Sequence, residues 1–84
     1  MAALNADDLL RVKQQLVPLM VPVLRRIRAS GDGSYVATMK ARYQTSGRTG
    51  KTQLMAEMGF TGDVTCVLDP GDFNACVDVA ALQM

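Results

Sequence analysis

The run Leu16 to Leu24 is apolar throughout and carries two prolines, Pro18 and Pro22. Any fold of this chain has to accommodate it. A helical crossing of a bilayer needs about 20 apolar residues, and this run has nine. It must therefore be buried, against the rest of the chain or against a partner.

The surrounding stretch, Asn5 to Ser30, reads as a helix. Asn5 suits the N-cap, Asp8 takes the capping-box position, and Leu4 and Leu9 occupy the staple positions. Asp7 and Asp8 suit the positive end of the helix dipole, and Arg25, Arg26 and Arg28 suit the negative end. Ser30-Gly31-Asp32-Gly33 supplies the stop. An interior proline removes one backbone hydrogen bond and clashes with the carbonyl four residues back. The periodicity nevertheless keeps register: at 100° per residue, Leu9, Val12, Leu16, Met20, Val23 and Ile27 form one seam. Pro18 and Pro22 fall on the opposite side, where the freed carbonyls of Gln14 and Pro18 meet water. One bent helix over residues 5–30 is expected.

Beyond Gly33 the pattern changes. Tyr35, Ala37, Met39, Ala41 and Tyr43 alternate with more polar neighbours, as do Thr52, Leu54, Ala56, Met58 and Phe60. Thr61-Gly62-Asp63 and Asp69-Pro70-Gly71-Asp72 read as turns. Between and after them, Val64, Cys66 and Leu68, then Phe73, Ala75, Val77 and Val79, alternate again. The expected fold is α+β, with the helix laid on a four-stranded antiparallel meander of strands at 35–45, 51–60, 64–69 and 73–79. Two segments read both ways. Gln53 to Met58 and Val79 to Met84 are rich in helix formers, and Phe73, Val77, Ala80 and Met84 also fit a helical stripe.

With 84 residues the chain is one domain, 1–84. Folding at this size buries little more than about 60% of the chain's surface, which leaves a thin core and favours oligomerisation. A content of 49% hydrophobic and 20% charged residues is that of a globular protein. The first residues are acidic and carry no signal-peptide core, so a cytoplasmic location with reduced thiols is expected. Cys66 and Cys76 fall on opposite faces of the expected sheet and should not pair. Two cysteines without histidine make no four-ligand zinc site unless carboxylates join them.

Ser46-Gly47-Arg48-Thr49-Gly50-Lys51-Thr52 resembles the phosphate-binding loop of P-loop NTPases, which would imply nucleotide binding through Lys51 and the loop amides. The pattern needs a glycine where Thr45 stands, so a polar hairpin tip is the plainer interpretation. Histidine is absent, and neither cysteine has a basic neighbour in sequence to activate it. Neither an enzyme nor a cofactor is expected.

The nine Lys and Arg residues all lie between Arg11 and Lys51, and no base follows Lys51. A hairpin carrying Lys40, Arg42, Arg48 and Lys51 could touch nucleic acid weakly, which is the alternative reading. The preferred reading is a non-catalytic interaction module, an accessory or inhibitor protein that self-associates or binds another protein. The helix's apolar arc is wider than one core contact requires, and the last expected strand is a nearly uncharged edge. These features nominate Leu10, Val17, Leu19, Val21, Val79 and Leu82 as partner-binding residues. The partner would be a second copy, giving a homo-oligomer, or another protein, and not a membrane.

Overall fold

The computed structural model describes residues 6–60 and 68–84. Helix α1, Ala6–Ala29, runs without a break through both prolines, whose side chains are exposed. Leu16, Met20 and Leu24 are fully buried, and Leu9, Val12, Val23 and Ile27 pack partly buried beside them. The buried stripe thus follows the expected seam, with its centre shifted to include Leu24. The capping positions Leu4 and Asn5 lie outside the described residues. At the other end the Ser30 hydroxyl donates to the Ile27 carbonyl at 2.7 Å. Gly31 then takes φ +98° while its N–H donates to Arg28 O at 3.0 Å. That left-handed residue closes the helix, as glycine does at many helix ends.

The expected meander is overturned. The remaining elements are helices α2 (Tyr35–Thr45), α3 (Arg48–Glu57) and α4 (Pro70–Leu82), and no strand occurs among the described residues. The domain is all-helical, so the α+β class and the antiparallel sheet are both incorrect. Of the four expected strands, 35–45 and 73–79 fall within α2 and α4, and 51–60 overlaps α3 as far as Glu57, with Met58 and Gly59 following it in a turn and Phe60 just beyond. Most of 64–69 lies outside the described residues; its last two, Leu68 and Asp69, lead irregularly into α4.

Each misreading has a physical source. In α2 the residues that turn inward are Met39 and Tyr43, with Tyr35 half-buried a turn earlier. A spacing of four satisfies a period of 2 as well as one of 3.6. The positions that separate the two templates, Ala37 and Ala41, are exposed alanines that announce nothing. In α3 the adjacent residues Leu54 and Met55 are both buried together with Met58, which a strand with one buried face cannot arrange. In α4 Phe73, Cys76, Val77 and Ala80 are buried, a stripe at i, i+3, i+4 and i+7. Pro70 serves there as the first helical residue after the N-cap Asp69, where its missing N–H costs nothing.

The segment Ser30–Gly33 both ends α1 and starts α2. Asp32 accepts the Ser34 N–H at 2.8 Å and the Thr38 hydroxyl at 2.6 Å. Its carboxylate thereby sits at the positive end of the α2 dipole.

Helix α4 is the main neighbour of α1 and also packs on α2, while α3 lies against α2. Lys13 pairs with Asp72 at 3.0 Å, and one turn further Val17 comes beside Cys76 and Val79, so α1 and α4 run in the same direction. Lys40 pairs with Asp78 while Tyr43 meets Phe73, so α2 runs against α4. The shared core joins Leu16, Met20 and Leu24 to Met39, Tyr43, Met55, Phe73 and Val77. At its centre the Tyr43 and Phe73 rings stack 3.8 Å apart and within 4° of parallel.

Candidate interaction surface

Between α1 and α4 lies an open groove of about 280 Å³ lined by Lys13, Gln14, Val17, Ala75, Cys76 and Val79. On α1, Leu10, Val17 and Val21 are spaced by seven and four residues and so share the flank that faces it. On α4, Ala75, Val79 and Leu82 repeat at four and three. Three large apolar side chains stand in solvent on the described residues: Leu10 at 55% exposure, Val79 at 45% and Leu82 at 87%. All three belong to these two stripes.

Five of the six nominated contact residues therefore gather on one face. Leu19 does not join them: two residues from Val17, it sits about 200° around the helix and packs half-buried against the core. Ala75, Gln14 and Cys76 were missed. For Ala75 and Cys76 the signal was the helical stripe through α4, which the alternation of Phe73 to Val79 concealed; Gln14 stands on α1 four residues past Leu10, on the same flank.

The thiol of Cys76 lies under the groove floor, unpaired and almost wholly buried. Burial pushes its pKa up; the nearby Lys13 ammonium opposes this and Asp72 adds to it. A thiol held in its neutral form is a poor nucleophile. Cys66 lies outside the described residues.

The basic residues nominated for nucleic acid are distributed differently. Lys40 pairs with Asp78 at 2.7 Å and Arg42 with Glu57 at 3.2 Å. The Lys51 ammonium donates to the Ser46 carbonyl and sits 5.2 Å from the centre of the Tyr43 ring. Arg48 is the first residue of α3. Instead of a hairpin tip presenting four charges, two of the four are neutralised across helix contacts and Lys51 folds back on its own loop.

The P-loop-like run takes the same turn. It does lead into a helix, but a Cβ at Gly50 would lie 3.0 Å from the Ser46 Cβ, so this glycine relieves a close approach between the first turn of α3 and the C-cap of α2. A second open hollow of about 440 Å³ lies beside Gly33, Ser34, Val36 and Lys40. The α2 N-terminus next to it already holds the Asp32 carboxylate.

The uneven charge along the chain resolves in the fold. Lys13–Asp72 and Lys40–Asp78 join the basic N-terminal half to α4, and Arg42–Glu57 joins it to α3. No helix among the described residues is long and apolar enough to cross a membrane. No family model, curated protein or solved structure matches this chain.

Proposed function

We propose that this chain is a non-catalytic protein-interaction module whose working surface is the α1/α4 face. The exposure of Leu10, Val79 and Leu82 on the two apolar stripes of this face, with Val79 lining the groove between them, carries the reading. Apolar area removed from water contributes about 25 cal/mol per Å², and these three side chains are the largest such reserve on the described surface. The ion pairs of Lys40 and Arg42 weigh against the nucleic-acid alternative, because a phosphate backbone would have to compete with carboxylates already in place. A reducing, cytoplasmic setting suits the unpaired thiol of Cys76.

The test is affinity capture from the native host with the wild-type chain and with a Val79→Glu/Leu82→Glu variant. A stoichiometric protein, or the chain itself, should be recovered with the wild type and lost with the variant. Nucleic acid recovered by both chains with no protein would overturn the reading.

A further inference from the structure

We infer that the occupant of the α1/α4 face is a second copy of this chain, docked so that the two α1 helices run antiparallel and cross near Val17. The inference rests on the interaction reading above and names the partner.

Charge complementarity is the first argument. Because α1 and α4 run in the same direction, this face has an acidic end and a basic end. Asp7 opens α1 and Asp72 opens α4 on this face, while Arg25 and Arg28 close α1; Asp8 and Arg26, each nine residues from Val17, fall on the opposite side of α1. Lys13 pairs with Asp72 and Arg11 with Asp8, so Asp7 sets the sign of the first end, while Arg25 and Arg28, partly offset by Asp32, set that of the second. A copy docked in the same orientation would set acid on acid and arginine on arginine. An antiparallel copy sets Asp7 against the Arg25 and Arg28 turn of α1 in the second copy, and a two-fold axis repeats the contact at the other end. The macrodipoles of α1 and α4 add together on one face and favour the same orientation.

The second argument is the register. Helix α1 spans Ala6–Ala29, so its midpoint falls between Val17 and Pro18. An axis there brings acidic and basic turns level across the whole helix, about 36 Å at 1.5 Å per residue. Apolar residues then occupy the middle of the contact and charges its rim, the usual anatomy of a protein interface. Pro18 and Pro22 lie further round α1 than the stripe of Leu10, Val17 and Val21. Size also fits. The molecule measures 40 × 25 × 20 Å, so a long face offers the roughly 800 Å² per partner that a stable dimer buries.

Sedimentation velocity from micromolar to millimolar concentration tests the proposal, with circular dichroism melting to confirm that each variant folds. The wild type should dimerise. Val79→Glu, at an exposed position, should weaken the dimer at least about tenfold. Arg28→Glu should weaken it too, and adding Asp7→Arg should restore it. In a Cys66→Ser background, Val17→Cys should cross-link to itself under mild oxidation. Asp7→Cys should cross-link poorly alone but well when mixed with Arg28→Cys.

A strict monomer at millimolar concentration overturns the proposal, as does a dimer indifferent to all these changes or one in which Asp7→Cys cross-links to itself. If a monomeric wild type still captures a host protein that Val79→Glu loses, self-pairing falls and the interaction reading stands. If neither partner is found, both fall.

Discussion

Tyr43 ties three parts of the chain together. Its hydroxyl donates to the Leu68 carbonyl at 2.6 Å, its ring stacks on Phe73, and the Lys51 ammonium lies over that ring. Removing the hydroxyl leaves a buried carbonyl without its donor, a defect of about 1–3 kcal/mol. Tyr43→Phe should lower stability by that amount in urea unfolding with little change in m-value. Burial, with the Asp69 carboxylate adding to it, pushes the Tyr43 phenol from 10.0 up to about 12. Between those values the unfolded chain releases a proton that the folded chain keeps, so the unfolded state gains as pH rises. This contribution is complete below pH 10 and is lost on the way to about 12. The gap in melting temperature between wild type and Tyr43→Phe should therefore narrow across that window. Cys76 yields a second prediction at this scale. In a Cys66→Ser variant, the remaining thiol should resist alkylation at neutral pH and react only once the chain is unfolded in guanidinium.

At the scale of elements, α1 was legible because its apolar spacing excludes a period of 2, and its proline positions follow from the same angular plot. The shorter helices were not, for reasons seated in particular residues. Tyr35, Met39 and Tyr43 satisfy both periods, and the discriminating positions between them carry only alanine. Leu54 beside Met55, and Asp69 before Pro70, did signal helices, but the alternation around them outweighed those local cues. The contact residues on α1 could be nominated because its helix was correctly placed. Those on α4 were seen only in part, since Ala75, Cys76 and Val79 share a groove only when 70–82 is helical. The prolines themselves invite a test. Both are exposed within α1, and proline in a helix interior costs up to about 3 kcal/mol relative to alanine. Pro22→Ala should raise the melting temperature by restoring the hydrogen bond to the Pro18 carbonyl, with Pro18→Ala doing the same for Gln14.

For the whole molecule, the separation of charge along the sequence becomes attachment between its halves. Lys13–Asp72 is the best sheltered of the described ion pairs, with both side chains about 30% exposed. A double-mutant cycle on Lys13→Ala and Asp72→Ala should return a coupling near 1 kcal/mol that shrinks with added salt. Lys40–Asp78, whose carboxylate is more open, should return less. Net charge is only +1, which leaves little long-range repulsion to oppose association of two copies.

The pairing of α1 with α4 joins the two ends of the chain, and that order matters at the ribosome. Helix α1 is complete at Ala29, yet its main neighbour is finished only at Leu82. At about 5–20 residues per second, its buried stripe waits several seconds for α4 to be synthesised. During that interval Leu16, Met20 and Leu24 are open to chaperones, or to the nascent chain of a neighbouring ribosome on the same message.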